Sequence, residues 1–361
     1  MQKIKNIECL RTFLIFAIII LHMFIDRKWC LCTLFPDIQL YQNIKSAIAH
    51  SNNGVEGFFI IAGFLLFLTF KPQTAIKNFI SKKYIRLSPV IIFSILLCAL
   101  GHFLGAMDFS FVPNLLTIFL LNSFGIKIAV GNNPVLWFTS TLFAGLLVYF
   151  CVIKYLPKFY TKITIPLIIF SYTEIELLQH GSFANPLQNY CVLNIGFLRA
   201  LGGIGLGTII GYLYKNNIDR INNFAPKLWQ KIIFTILEFG LFSYMIWWMI
   251  FIHKKVNNII IVLCFVFLLI LLIIRKGYFS KFLDKDIWVF LGKYQYSLYV
   301  IHYVIIRIFG LSLWKNQSEF VHIHPILPVI IMLFVILASG VLTYHFIESP
   351  SAKYLKNKFL S

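Results

Sequence analysis

The sequence predicts an all-α polytopic integral membrane protein with about ten transmembrane helices, and three observations support this fold class. First, 59% of the 361 residues are hydrophobic and only 12% are charged, about half the charged share of a soluble domain. Second, the apolar residues are grouped in stretches close to the 20 residues with which a helix crosses a hydrocarbon layer. Third, lysine and arginine concentrate in alternate loops, as in loops retained in the cytoplasm.

Ten apolar stretches are predicted to span the membrane. They cover residues 9–25, 55–70, 87–104, 135–153, 163–178, 192–214, 232–252, 258–274, 294–309 and 325–346. Polar residues and a proline interrupt a further apolar segment, 112–130, which we interpret as re-entrant or interfacial. We expect residues 1–361 to form a single transmembrane domain with no appended soluble domain.

The chain carries a formal charge of +19, from 32 Lys and Arg against 13 Asp and Glu. A nucleic-acid-binding protein would cluster these residues on one solvated face. Here most of them lie in alternate loops, on one side of the predicted membrane. Both termini are therefore predicted to be cytoplasmic with an even number of spans, and we expect no nucleic-acid partner.

The first span contains two polar residues that share a helix face. Arg11 and His22 are eleven residues apart, which places them about 20° beyond three full turns and roughly 16 Å apart along the axis. With a cytoplasmic N-terminus, Arg11 lies near the inner surface and His22 in the outer part of the span. Charged side chains in spans are costly and are candidates for function, although snorkelling by Arg11 and helix capping by His22 explain them equally well.

The second span begins on the outer side with Gly54-Val55-Glu56-Gly57, which places Glu56 in the first turn at a depth similar to that of His22. A carboxylate beside an imidazole fixes its tautomer and stabilises the cation that forms when it takes a proton. We therefore predict a pair between His22 and Glu56, with simple helix capping as the alternative.

Arginine is rare in this chain, which has 25 lysines and seven arginines. Four of the arginines nevertheless lie within or at the edge of apolar spans, namely Arg11, Arg86, Arg199 and Arg307. The planar guanidinium holds phosphate or carboxylate through two hydrogen bonds, which is a reason to keep it where lysine is the usual cation. Arg86 enters the third span from the cytoplasm with Lys82 and Lys83, and this group is predicted to hold the phosphates of a cytosolic donor unless it serves only as a positive-inside cluster.

Two further patterns are open to more than one interpretation. The stripe Gly203-x-x-x-Gly207-x-x-x-Gly211 allows helices to approach closely, so we expect it to serve packing. His302 lies in the middle of a span and is either a buried structural histidine or part of a cavity lining. No set of side chains has the spacing of a strong metal site, and we expect no metal.

Five motifs resemble those of the membrane acyltransferase-3 family, bacterial polytopic enzymes that O-acylate cell-surface glycans and some secondary metabolites. In chain order they are Arg11-x10-His22, Gly54-Val55-Glu56-Gly57-Phe58-Phe59-Ile60-Ile61-Ala62-Gly63-Phe64, Leu136-Trp137-Phe138, the segment 292–302 that ends in Ser297-Leu298-Tyr299-Val300-Ile301-His302, and Tyr344-His345-Phe346-Ile347-Glu348-Ser349-Pro350. The resemblance covers nearly the whole chain and keeps the motifs in order.

Three positions depart from the family pattern. Ala62 replaces the usual serine, and Lys83 stands where many members have arginine, which leaves a weaker grip on phosphate. The carboxylate that some members carry after the tryptophan motif is absent, since Ser140 and its neighbours follow instead. The last departure bears on the acceptor.

The resemblance implies an O-acyltransferase of the bacterial inner membrane. Acyl-CoA, most often acetyl-CoA, would bind from the cytoplasm with its phosphates near Arg86, Lys82, Lys83 and Arg11. His22 would act as general base on a hydroxyl of a cell-surface or lipid-linked sugar, with Glu56 orienting it, or would carry the acyl group as a transient acyl-histidine. Trp137, Arg199 and His302 are weaker candidates for substrate contacts.

Two other function classes remain open on the sequence alone. A polytopic transporter or exporter would use mid-membrane Arg and His residues and Gly-rich helices equally well. A lipid-sugar-dependent glycosyltransferase is less favoured, since it needs a catalytic carboxylate in the first outer loop. The sequence does not predict the oligomeric state, the acyl group or the acceptor.

Overall fold

The computed structural model describes residues 4–25, 30–122, 131–183, 185–190, 193–251, 257–311 and 317–359. The α-helices are α1 Lys5–Phe24, α2 Leu31–Leu34, α3 Gln39–Ala47, α4 Gly54–Thr69, α5 Ile76–Phe103, α6 Phe111–Ile118, α7 Trp137–Tyr155, α8 Tyr160–Gln179, α9 Ile195–Asn216, α10 Ile218–Asn223, α11 Leu228–Phe251, α12 Ile259–Ile274, α13 Tyr278–Phe282, α14 Asp286–Leu291, α15 Gln295–Phe309, α16 Ser318–Ile323, α17 Ile326–Thr343 and α18 Ser349–Phe359. The remaining elements are the 3-10 helices Ser51–Asn53, Pro134–Leu136 and Pro157–Phe159, the π-helix Tyr344–Glu348, and a small antiparallel hairpin of β1 Asn189–Tyr190 and β2 Leu193–Asn194.

The helical, polytopic character of the chain is confirmed. Each of the ten predicted stretches coincides with a helix, in order α1, α4, α5, α7, α8, α9, α11, α12, α15 and α17. Within the described ranges, seven helical segments are long and apolar enough to cross a membrane, and α12 is a shorter apolar helix. The number of spans and the side on which the termini lie stay predictions.

The segment predicted to be re-entrant or interfacial is helical over eight residues, α6 Phe111–Ile118. Eight residues rise about 12 Å, well short of the hydrocarbon thickness of about 30 Å. The end of the predicted segment, 123–130, lies outside the described residues.

Helix α5 begins earlier than the predicted span and has 28 residues, a length of about 42 Å. It therefore exceeds the hydrocarbon thickness by more than two turns. The extra turns carry Lys82, Lys83 and Arg86 as part of the helix rather than in a loop. This rigid extension fixes the spacing of the three cations.

The helices divide into a central and a peripheral set. In the most apolar window of α9, 83% of the residues are buried, against 22% for α11 and 28% for the segment that contains α17. The peripheral helices expose large apolar side chains such as Ile236, Phe334 and Leu342. Such a surface is suited to contact with the hydrocarbon of a bilayer, because exposing large apolar side chains to water is unfavourable.

Helices α4 and α9 pack backbone to backbone through glycines. A Cβ at Gly207 would overlap the carbonyl oxygen of Ile60, and a Cβ at Gly63 would overlap that of Ile204. Gly203 lies one turn before Gly207 and faces Phe59 in the same way. The glycine stripe predicted to serve packing does so, and the close approach sets the distance between the side chains at the outer end of the two helices.

Candidate active site

Two cavities lie at opposite ends of helix α1, and we call them inner and outer after the predicted topology. The outer cavity has a volume of about 880 Å³ and the inner one about 350 Å³. Polar and aromatic residues of the outer cavity include His22, Asn52, Asp108, Asn132, Trp137, Arg199, Tyr303 and Arg307. The inner cavity combines the cations Arg11, Lys83 and Arg86 with mostly apolar walls. Both volumes are typical of small-molecule sites.

A thin aromatic partition, formed by Tyr299 and Phe138, lies between the cavities. Among the described residues, Tyr299 alone lines both. Its hydroxyl donates to the carbonyl oxygen of Val135 at 2.6 Å, and its ring centroid is 5.1 Å from that of Phe138 in an edge-to-face contact. The two cavities are thus neighbours that share Tyr299 as a wall residue.

Helix α1 contributes a polar residue to each cavity. Arg11 lies two turns into the helix and lines the inner cavity, whereas His22 lies in the last turn and lines the outer one. The ring of His22 contacts the edge of the Tyr303 ring at 5.7 Å between centroids. The spacing of these two residues therefore distributes them as the sequence predicts.

The predicted pair between His22 and Glu56 is wrong in this structure. Glu56 lies in the first turn of α4 as expected, but its Oε1 accepts from Nε of Arg199 at 2.6 Å. Neither Oε2 of Glu56 nor Nδ1 of His22 has a hydrogen-bond partner among the described residues. The physical reason is the glycine contact between α4 and α9, because it brings Arg199 against Glu56 and a guanidinium binds a buried carboxylate more strongly than a neutral imidazole does.

Arg199 is held rigidly at the wall of the outer cavity. Helix α9 begins four residues earlier, where the side chain of Asn194 accepts from the backbone N–H of Phe197 at 2.8 Å. Nη1 of Arg199 donates to the carbonyl oxygen of Phe183 at 3.0 Å. The guanidinium carbon lies 5.2 Å from the ring centroid of Trp137 and 4.7 Å from that of Phe183.

One donor of this guanidinium is left over. Nη2 of Arg199 is buried and has no hydrogen-bond partner in the described part of the chain. A fixed, buried donor without a partner can bind an oxygen that gains negative charge during a reaction. Arg199 and Trp137 were identified from the sequence, but Phe183 was missed. It lies in the loop between α8 and α9, and only the tertiary structure brings it against Arg199.

His302, the third weaker candidate, is completely buried and is not among the described residues that line either cavity. It lies directly behind His22, with 5.2 Å between the ring centroids. It contacts a lining residue of the outer cavity and lies outside the linings of these two cavities, and its role as a substrate contact stays a prediction. Glu56 lies behind Arg199 in the same way.

Glu8 holds Arg11, which lines the inner cavity. Both oxygens of Glu8 accept from Nη1 of Arg11 at 3.1 Å. A Cβ at Gly292 would overlap Oε2 of Glu8, so glycine at this position makes room for the carboxylate. Lys83 and Arg86 line the cavity from α5, whereas Lys82 is exposed and is not among the lining residues.

The start of α15 ties the inner cavity to three other elements. Nε2 of Gln295 donates to Oγ1 of Thr12 at 2.8 Å, and the hydroxyl of Tyr296 donates to the carbonyl oxygen of Leu87 at 2.7 Å. Ser297 donates to Oε2 of Glu348 at 2.6 Å. These three polar residues at the start of α15 therefore position the helix, which also carries Tyr299 and His302.

The segment before α3 contacts α16 through Asp37 and His322. Nε2 of His322 contacts the carboxylate of Asp37, and its Nδ1 lies 2.6 Å from the carbonyl oxygen of Ser318. These hydrogen bonds, that to the Ser318 carbonyl first, raise the pKa of His322, and the same contact lowers the pKa of Asp37. Within the described ranges, no group of three or more His, Cys, Asp or Glu side chains could hold a metal ion.

Comparison with known proteins gives one match. The family model of the acyltransferase domain, acyltransferase-3, matches residues 4–345. No curated protein and no solved structure matches the chain. The match covers both cavities and four of the five motifs, and it ends within the fifth, Tyr344–Pro350.

Proposed function

The chain belongs to the acyltransferase-3 family and is an acyltransferase of the membrane, and from that premise we propose that it moves an acyl group, acetyl in the first instance, from cytosolic acyl-CoA to a sugar hydroxyl. The acceptor is a cell-surface or lipid-linked sugar, and the protein acts in the bacterial cytoplasmic membrane. The observation that carries the proposal is the pair of cavities, one cationic and one with a histidine, separated by a single aromatic partition.

The inner cavity suits the donor. The pantetheine arm of coenzyme A is neutral, and its methylene and methyl groups would contact the apolar walls formed by Phe58, Ile61 and Leu146. Its phosphates are anionic and would be held by Arg11, Lys83 and Arg86, with exposed Lys82 extending the positive surface at the mouth. A dozen bonds separate the diphosphate from the sulfur, about 15 Å when extended, which matches the roughly 16 Å between Arg11 and His22.

His22 supplies the base. It takes the proton of the acceptor hydroxyl, the oxygen forms a bond to the thioester carbon, and the carbon–sulfur bond breaks. The departing thiolate then takes the proton back from His22, so the histidine ends the cycle neutral. A positioned base of this kind contributes about 10² to 10⁴ in rate. In the alternative route His22 itself attacks the thioester and the sugar hydroxyl then attacks the acyl-histidine.

Arg199 supports the same step from the cavity wall. The thioester oxygen becomes negatively charged in the tetrahedral intermediate, and Nη2 of Arg199 is a fixed donor with no hydrogen-bond partner among the described residues. Glu56 and the rings of Trp137 and Phe183 keep the guanidinium in place. We infer that Glu56 holds Arg199 in place. Trp137 also holds Arg199 and, in addition, offers an apolar face to the sugar ring.

The outer cavity suits a sugar rather than an apolar acceptor. Its lining contains the amides of Asn52 and Asn132 and the carboxylate of Asp108, which match hydroxyl groups in hydrogen bonding. Trp137 adds an apolar face. A few polar groups in a concave, partly aromatic wall are typical of a specific small-molecule site.

The experiment follows radiolabel from [acetyl-¹⁴C]acetyl-CoA into the glycan and lipid-linked sugar fractions of membranes that contain the protein. We expect label with the unmodified chain, loss with His22→Ala, and retention with His324→Ala, which changes an exposed histidine outside both cavities. Undiminished label with His22→Ala would overturn the assignment of the base. Solute flux that needs no acyl-CoA, without any label transfer, would favour a transporter instead.

A further inference from the structure

His302 has a defined tautomer because of its backbone contacts. Its Nδ1 lies 2.7 Å from the carbonyl oxygen of Tyr299 and 3.1 Å from that of Leu298. Carbonyl oxygens only accept, so Nδ1 must carry the hydrogen. In the neutral ring Nε2 is then a lone-pair acceptor, and it is buried without a hydrogen-bond partner in the described residues.

The neighbour of this acceptor is His22. The ring centroids of His22 and His302 are 5.2 Å apart and the ring planes are inclined by 41°. Two imidazoles joined by an N–H···N hydrogen bond have centroids about 5 Å apart. Nδ1 of His22 is the ring nitrogen buried away from solvent, and it too lacks a partner among the residues described. Since neither nitrogen has a partner, the two do not form a hydrogen bond with each other in this conformation. One of them is nevertheless fixed as an acceptor, and the centroid distance is the one that an N–H···N bond requires.

We propose that His302 is a positioning residue for His22: after a small rotation of the His22 ring, Nε2 of His302 accepts a hydrogen bond from Nδ1–H of His22. The effect of this pairing on acyl transfer rests on the proposed function. The pairing itself rests on the relative position of the His22 and His302 rings. It fixes His22 in the Nδ1–H tautomer, so that Nε2 of His22 carries the lone pair that meets the acceptor hydroxyl. His302 thus has the place that a carboxylate has in a catalytic triad, but without a negative charge.

The protons balance through the pair. Nε2 of His22 gains the proton of the sugar hydroxyl, and the resulting imidazolium shares its Nδ1 proton with Nε2 of His302. When the thiolate leaves, Nε2 of His22 returns one proton to it, and the Nδ1–H of His22 and of His302 are as before. No other reactant is needed.

The surroundings of the pair contain few charges. Tyr303 faces His22, Tyr299 faces His302 at 5.9 Å between centroids, and the guanidinium of Arg307 lies over the Tyr303 ring at 4.9 Å. Arg199 and Asp108 line the same cavity as His22. A neutral acceptor behind His22 adds no charge to this set.

Two substitutions separate positioning from a purely structural role. His302→Asn places an amide donor where Nδ1 was and keeps the contact with the carbonyl oxygens but removes the acceptor. His302→Gln places an amide oxygen near the position of Nε2 and keeps the acceptor. We expect kcat for acyl transfer to fall about 100-fold in His302→Asn with KM unchanged, and to recover at least tenfold in His302→Gln. A structural role would give the opposite order, because the asparagine preserves the anchor.

His102→Asn is the matched control. Its Nδ1 also lies beside a carbonyl oxygen, that of Met107 at 3.1 Å, and His102 lines neither cavity. We expect its kcat to stay within twofold of the unmodified protein. An equal fall in kcat for His102→Asn and His302→Asn would overturn the proposal. A change in KM alone, with kcat unchanged in His302→Asn, would also overturn it.

A measurement on the unmodified protein needs no activity. Ring-¹⁵N spectra of histidine-labelled protein, assigned with His22→Gln and His302→Gln, report which nitrogen carries hydrogen. We expect the Nδ1–H tautomer for both histidines. His22 in the Nε2–H tautomer would overturn the inference even if acyl transfer is demonstrated. The expected tautomers without any acyl transfer would leave the pairing intact and disprove the proposed function.

Discussion

Glu56 on α4 and Arg199 on α9 form an ion pair with 2.6 Å between Oε1 and Nε, and each side chain is at most 1% exposed. Removing one partner leaves a buried charge without compensation, which costs about 3–5 kcal/mol. We therefore expect Glu56→Gln to lower the thermal midpoint in detergent strongly and to abolish acyl transfer.

Removing both charges tests whether the loss of thermal stability in Glu56→Gln comes from the unpaired charge of Arg199. The double variant Glu56→Gln with Arg199→Met carries no buried charge, so we expect most of the thermal stability to return. Acyl transfer should not return, because the Nη2 donor is gone. A double variant as unstable as Glu56→Gln alone would contradict this explanation.

The glycine contact between α4 and α9 makes a second prediction. Gly207→Ala places a Cβ against the carbonyl oxygen of Ile60, so the helices must separate, at a cost of about 1–3 kcal/mol or more. Gly240→Ala on α11 is the control, because no atom lies within 4 Å of the added Cβ. Thermal unfolding of the two variants should show a clear loss for Gly207→Ala and none for Gly240→Ala. Equal midpoints would be inconsistent with the packing described.

The cations of the inner cavity should govern donor affinity. We expect Arg86→Ala to raise KM for acetyl-CoA about 10- to 100-fold, the effect of losing one hydrogen-bonded charge pair of about 1.5–3 kcal/mol. Lys77→Ala is the control, since Lys77 is an exposed cation on the same helix outside the cavity. Steady-state kinetics with both variants measures the difference. A similar KM change in the two would indicate general attraction by surface charge and no bound phosphate.

The contact between His322 and Asp37 should respond to pH. The pKa of His322 is raised above its ordinary value of 6.5, first by the Ser318 carbonyl and then by Asp37, so its contribution is complete below 6.5 and is lost as the pH rises through the raised value. The pKa of Asp37 is lowered by the same contact, so its contribution is present above its ordinary value of 3.8 and is lost at more acidic pH.

Hydrogen exchange of the backbone in α16 measures this dependence. We expect the strongest protection between about pH 4 and 6.5 and weaker protection at alkaline pH. His322→Gln should show protection that is independent of pH across this range. A profile in the unmodified protein as flat as that of His322→Gln would disprove the role of the pair.

Features that depend on one helix could be predicted from the sequence. Each of the ten predicted apolar stretches coincides with a helix. The spacing of Arg11 and His22 predicted that they lie toward opposite ends of the same helix. Helical geometry alone fixes such relations. Helix α5 begins at Ile76, before the apolar stretch predicted at 87–104, because the basic turns before Leu87 are polar but continue the helix.

Features that depend on contacts between helices could not be predicted in the same way. The Glu56–Arg199 pair joins residues 143 positions apart, and depth alone made His22 the nearer candidate for Glu56. A signal was present, however, because Arg199 lies one turn before Gly203 on the glycine stripe of α9. A residue on that stripe must face α4, where Glu56 stands. The burial of His302 behind His22 had no comparable signal.

The aromatic partition of Tyr299 and Phe138 has an electrical consequence for the cell. Two cavities that approach each other through a membrane protein leave little insulation between two aqueous phases. One elementary charge crossing a membrane potential of 100 mV dissipates about 2.3 kcal/mol. Under the proposed function, each opening that lets the acyl group meet the acceptor must therefore close before ions follow. Under the same proposal, a bulkier acyl group that holds the partition apart for longer would admit more ions, and membrane energisation would then restrict donor size in addition to the fit of the cavity.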